Sequence, residues 1–117
     1  MKTTTPFGVR DYLPNDVQQR QVLLSAMIEE CESQGYQRII TPAIEYYDAI
    51  SDALGESLRN KCIMFFDSNG DRLVLRPDHS TPIARIVASR METDVPLKLY
   101  YADPVFRKDP IQGESEI

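Results

Sequence analysis

The segment Leu75-Arg76-Pro77-Asp78-His79-Ser80-Thr81-Pro82-Ile83-Ala84-Arg85 gathers the side chains best suited to chemistry in this 117-residue chain. It sets a guanidinium at the end of a strand-like run and a carboxylate just before a helix start, where free backbone amides and short polar side chains converge. Such a corner can hold a zwitterion. Asp78 would take an ammonium, Ser80 or Thr81 would exchange a hydrogen bond with a polar ligand atom, and a cation from a neighbouring strand would take a carboxylate or phosphate. Arg107 is the candidate for that cation. A plainer account of the same residues stays open, in which Asp78 and Thr81 only cap the helix and Arg76 and Arg85 make ordinary ion pairs. His79 reads as a loop residue rather than a catalyst or ligand. Of Tyr100 and Tyr101, which alternate on a strand-like run, one should be core and the other should line a cleft.

Other chemistries find no support. One histidine and two distant cysteines, Cys31 and Cys62, form no metal-ligand cluster, and neither common Gly-rich phosphate loop is present. Adjacent His79 and Ser80 do not make a hydrolase triad, which needs a spatial arrangement that adjacency does not supply. No catalytic residue, metal or cofactor is assigned. Eighteen acidic residues against thirteen Lys and Arg give a net charge of −5, so the far field disfavours nucleic acid, although a local pocket can still take a small anion. Two thiols are too few for a disulfide framework, so both are read as free and the compartment as reducing. No run approaches the roughly eighteen apolar residues of a membrane helix, and Met1 to Arg10 lacks a signal peptide's apolar stretch. The expected location is the cytoplasm, away from membranes.

With 42% hydrophobic and 26% charged residues, the chain suits one globular domain or a piece of one. After an irregular arm, Phe7 to Pro14, a helix is predicted, capped by Asn15 or Asp16 and stopped by Gly35. Val17, Leu24, Met27, Ile28 and Cys31 form its apolar stripe, expected to be core. Tyr36 to Thr41 is β-branched and aromatic enough for a strand, ended by Pro42. Glu45-Tyr46-Tyr47 continues as an extended or irregular piece, Asp48 to Leu54 as a short helix stopping at Gly55, and Glu56 to Lys61 as a loop. Ile63 to Asp67 and Arg72 to Arg76 flank Ser68-Asn69-Gly70-Asp71, whose Asn-Gly pair predicts a β-hairpin. Thr81-Pro82 then offers a cap and first position for a second helix, whose stripe is Ile83, Ala84, Val87, Ala88 and Met91. Leu97 to Arg107 reads as a strand, interrupted at Asp103-Pro104, and the polar tail ends inside what looks like a loop. The expectation is an amino-terminal fragment, 1–117, truncated within that loop.

Taken in order, these segments resemble the catalytic domain of class II aminoacyl-tRNA synthetases, in the histidyl branch with its non-synthetase paralogue. Gly8-Val9-Arg10-Asp11-Tyr12-Leu13-Pro14 is similar to the family's opening signature. The helix with Gly35-Tyr36 through Thr41-Pro42 is similar to its first motif, which serves dimerisation. Leu75-Arg76-Pro77-Asp78 resembles the histidine-recognition strand end, and Tyr100 to Arg107 the start of the second motif. The resemblance implies an α+β fold with an antiparallel sheet built from Tyr36 to Thr41, Ile63 to Asp67, Arg72 to Arg76 and Leu97 to Arg107, flanked by helices. It also implies a homodimer through the Val17 to Cys31 helix.

Two departures separate the branches. Synthetases usually read Arg-Pro-Glu-Gly-Thr where this chain has Arg76-Pro77-Asp78-His79-Ser80, and an arginine-rich loop follows where this chain has Glu114-Ser115-Glu116. Carboxylates there would repel a triphosphate. The resemblance therefore implies the paralogue, a regulatory, non-catalytic subunit of ATP phosphoribosyltransferase. That subunit assembles with the short-form catalytic subunit in the first step of histidine biosynthesis and helps convey histidine feedback. On that reading Asp78, Ser80 and Arg107 bind a histidine-like effector. A fragment of a histidyl-tRNA synthetase and a stand-alone interaction module remain open as alternatives.

Overall fold

The structure, a computed structural model, describes residues 3–90 and 97–108. Helix α1 (Pro14–Ser33) opens on a proline, whose fixed φ and missing N–H suit the first helical position. Leu13 is therefore the N-cap rather than Asn15 or Asp16. Asp16 falls inside the first turn, and its Oδ2 accepts from the Leu13 N–H at 3.2 Å. The helix ends in a Schellman arrangement, with Gly35 at φ 88° and the Gly35 and Tyr36 N–H groups donating to the Glu32 and Cys31 carbonyls. Its apolar stripe is not core. No α1 residue is buried, Leu24, Ile28 and Cys31 are half-covered, and Val17 and Met27 are more than half exposed. The described elements give the helix only a groove to line.

The α+β class holds, but the strands divide into two ladders. In the first, β1 (Gln37–Arg38) and β5 (Leu99–Tyr100) pair in parallel, in the register Gln37 with Leu99 and Arg38 with Tyr100. The expectation that both would enter one antiparallel sheet fails here. A parallel pair needs a long crossover, and the whole stretch from Ile39 to Lys98 supplies it. The second ladder is antiparallel, in the order β2 (Ile44–Tyr46), β4 (Arg72–Leu75), β3 (Met64–Phe66). The piece read as extended or irregular thus provides a strand. The expected strand from Leu97 to Arg107 is confined to β5, because the later backbone bonds elsewhere, Phe106 N–H to the Arg76 carbonyl and Lys108 N–H to the Lys61 carbonyl.

The hairpin forms where Asn-Gly placed it. Its turn is a three-residue loop rather than a two-residue one, with Gly70 at φ 84° and its N–H donating to the Asp67 carbonyl. The Asp67 carboxylate accepts from the Asn69 and Asp71 N–H groups, both at 2.9 Å, holding the loop from inside.

Helix α2 (Tyr47–Ile50) and the 3₁₀ turn Ser51–Ala53 match the predicted short helix. Where a loop was expected, α3 (Glu56–Arg59) forms a single turn, too short to show a period, that starts from Gly55. It places Leu58 against the core of Ile50, Leu54, Cys62 and Val74. Both cysteines are free, and burial pushes the Cys62 thiol above its ordinary value. Helix α4 (Ser80–Arg90) opens at Ser80, so Pro82 sits at its third position, still within the turn that needs no donor, and is buried. Met91 lies outside the described residues.

One side chain ties these pieces together. Arg76, 5% exposed, donates from Nε to the Pro104 carbonyl at 2.7 Å and from Nη1 to the Thr41 carbonyl at 2.8 Å. Its backbone N–H donates to Ala43, and its carbonyl accepts from Phe106. It is not the ordinary ion pair that the plainer account expected. Arg76→Lys keeps the charge but cannot reach both carbonyls. It should cost about 2–4 kcal/mol, the scale of one lost charge-assisted bond plus an unpaired carbonyl. Urea unfolding of the full-length protein checks this, and an unchanged midpoint would remove the tie.

Candidate functional site

The sharp turn between β4 and α4 is fastened to the 101–107 segment at four points. Phe106 N–H meets the Arg76 carbonyl at 2.9 Å, and Arg76 Nε meets Pro104. Arg107 Nε donates to the Pro77 carbonyl at 2.7 Å, and His79 Nε2 lies 2.6 Å from the Asp103 carbonyl. A carbonyl can only accept, so Nε2 carries the proton. The His79 ring also stacks on Tyr101, with centroids 4.2 Å apart and planes 21° from parallel.

This fastening brings Asp78, Ser80 and Arg107 to one groove of about 1010 Å³ between α1 and the 100–107 segment. Apolar side chains of α1, among them Leu24, Met27 and Ile28, form one wall, and Tyr100, Tyr101 and Asp103 form the other. The Tyr100 phenol is pushed above its ordinary value, first by desolvation and then by the negative charge of the Glu32 carboxylate. Both tyrosines line the groove, Tyr100 half-buried and Tyr101 about half exposed, so the expected split between core and cleft is only partial.

The two oxygens of Asp78 differ. Oδ2 accepts from the Thr81 hydroxyl at 3.2 Å, a bond within the turn. Oδ1 is buried and has no hydrogen-bond partner among the described residues. The plainer account is right for Arg85, whose Nη2 pairs with the buried Glu45 carboxylate at 2.7 Å. His79 is a loop residue as expected, in the turn between β4 and α4, but a buried one at 7% exposure. Sequence reasoning also passed over Asp103, which pairs with Arg38 at 3.4 Å while its Oδ2 is buried without a partner among the described residues. Its place before a proline was the only available signal. Glu114-Ser115-Glu116 lies outside the described residues. Among those described, no group of three His, Cys, Asp or Glu could hold a metal ion, and no helix is long and apolar enough to cross a membrane.

A sequence profile described as histidyl-tRNA synthetase matches residues 8–116. An ATP phosphoribosyltransferase regulatory subunit of Carboxydothermus hydrogenoformans is 43% identical over 102 residues, 86% of this chain and 30% of that protein. A histidine–tRNA ligase of Pyrobaculum calidifontis is 35% identical over 105 residues, 90% of this chain and 25% of the ligase. In three dimensions the chain matches a crystal structure of an ATP phosphoribosyltransferase regulatory subunit/histidyl-tRNA synthetase from Bacillus halodurans C. The TM-score is 0.84 at 35% identity, over 99% of this chain and 30% of that one. The chain thus spans about 30% of the length of the regulatory subunit it matches. The profile across nearly the whole sequence and the shared fold show that this chain belongs to the histidyl-tRNA synthetase family.

Proposed function

We propose that this protein is the regulatory, non-catalytic subunit of an ATP phosphoribosyltransferase, working in the cytoplasm with a short-form catalytic subunit at the first step of histidine biosynthesis. Asp78, Ser80 and Arg107 then hold a histidine-like effector. The observation that carries the site is that Asp78, whose buried Oδ1 has no hydrogen-bond partner among the described residues, lines the same groove as Arg107. A desolvated carboxylate oxygen has its strongest partner in an ammonium group. The regulatory rather than the synthetase assignment is supported by the Asp78-His79-Ser80 sequence and by the acidic residues Glu114 and Glu116 where an ATP-clamping loop would need cations.

The second reading, a part of a histidyl-tRNA synthetase, draws on the similarity to a histidine–tRNA ligase. Pyrophosphate exchange with the full-length protein separates the two. No histidine-dependent exchange above a protein-free blank is expected, together with activation of the catalytic subunit on mixing; clear exchange returns the protein to the synthetases.

A homodimer through α1 belongs to the same proposal. Val17, Val22, Leu23 and Met27 are each more than half exposed, and a hollow of about 800 Å³ runs between Tyr12 and Glu29 along the helix. Exposed apolar surface of this kind marks an interaction site. Sedimentation of the full-length protein should show a dimer that Val22→Glu, at a residue lining this hollow, shifts toward monomer. A monodisperse wild-type monomer rejects the interface.

For the effector, calorimetric titration of histidine into full-length wild type and Asp78→Asn is decisive. The amide keeps the size and can still accept from Thr81 but loses the charge. Loss of a charge-assisted contact should weaken binding roughly ten- to a hundredfold. Equal affinities would reduce Asp78 to a capping residue.

A further inference from the structure

The residues on either side of Asp78 are each anchored to the 101–107 segment. Before it, the Pro77 carbonyl accepts from Arg107 Nε at 2.7 Å; after it, His79 Nε2 donates to the Asp103 carbonyl at 2.6 Å. The two anchors differ in kind. On the turn's side the Pro77 contact uses only a backbone carbonyl, met by the Arg107 side chain, whereas the His79 contact depends on the turn's own imidazole. His79 is more than nine-tenths buried, and its ring lies against Tyr101.

We infer that His79 is a positioning residue: its Nε2–H bond to the Asp103 carbonyl latches the β4–α4 turn to the 101–107 segment and so fixes the Asp78 carboxylate relative to the Arg107 guanidinium. This rests on the proposed effector site. A ligand bridging an acceptor on the turn and a cation on the opposite segment binds well only if their separation is set beforehand, because otherwise binding must order both.

Two substitutions divide the imidazole's contributions. His79→Phe keeps a ring to stack on Tyr101 and removes the donor; His79→Gln keeps an N–H donor at similar reach and removes the ring. In the full-length protein, amide hydrogen exchange at Phe106, whose N–H bonds to the Arg76 carbonyl, reads the latch without any ligand. Exchange should quicken about five- to tenfold in His79→Phe, the equivalent of one buried neutral hydrogen bond, and stay within about twofold of wild type in His79→Gln. Histidine affinity should follow the same order, with His79→Phe weakened and His79→Gln close to wild type. Unchanged exchange in His79→Phe, or exchange in His79→Gln as fast as in His79→Phe, overturns the latch. If His79→Phe does not fold, His79→Gln decides alone: wild-type exchange supports the latch, and a loss refutes it. If wild type binds no histidine, the effector reading fails, and the exchange rates still decide the latch.

Discussion

A guanidinium stays charged at any pH that a folded protein meets, so burying one obliges the fold to supply acceptors. Arg76 meets that demand with the carbonyls of Thr41 and Pro104, which lie 35 and 28 residues away in sequence. Three segments are thereby drawn to one point: the end of the β1 strand region, the end of β4 and the segment after β5. The turn that follows Arg76 has little freedom left. With its carbonyl bonded to Phe106 and the next residue's carbonyl bonded to Arg107, Asp78 is held on the lining of the groove, and α4 begins from a fixed origin. The candidate site is a consequence of how one buried cation is satisfied.

The rest of the molecule is lightly packed by comparison. Among the described residues the buried hydrophobics are Ile50, Leu54, Cys62, Val74 and Val105. Four of these form one cluster beneath the three-stranded sheet. A long helix with no buried residue stands apart from that cluster. Hydrophobic burial is the main favourable term in folding, and among the described residues α1 obtains it only through its half-covered face, Leu24, Ile28 and Cys31. The proposed dimer would cover more of that helix. It also explains why the apolar stripe of α1 is real although it is not core.

The parts of this structure that were legible in the sequence are those with local causes. Asn69-Gly70 placed the hairpin because a left-handed residue was needed there, and Gly35 ended α1 for the same reason. The order of four motifs carried the fold class. What escaped was set by distance or by the backbone. Parallel pairing of β1 with β5 joins residues about sixty positions apart, and no periodicity encodes it. The partners of Arg76, Arg107 and His79 are carbonyl oxygens, which every residue owns and which no residue type can announce. Asp78, Ser80 and Arg107 were legible as chemistry and do share a groove, whereas the side chain that holds the turn looked like an isolated histidine.

Whether Asp78 caps a helix or receives a ligand is a question about two different atoms. Oδ2 has a local task, accepting the Thr81 hydroxyl. Oδ1 has none among the described residues, yet it is removed from solvent. A cap needs only one oxygen and tolerates water on the other, so capping does not account for the burial of Oδ1. Desolvating a charged acceptor without a partner costs on the order of 1–3 kcal/mol or more, and that cost is imposed by the turn's attachment to the 103–107 segment. The ammonium of a zwitterion would recover it on binding, while the ligand's carboxylate would face Arg107 in the same groove. Preorganisation of this kind is an energetic reason for a turn to be held so firmly where a plain helix start would need far less.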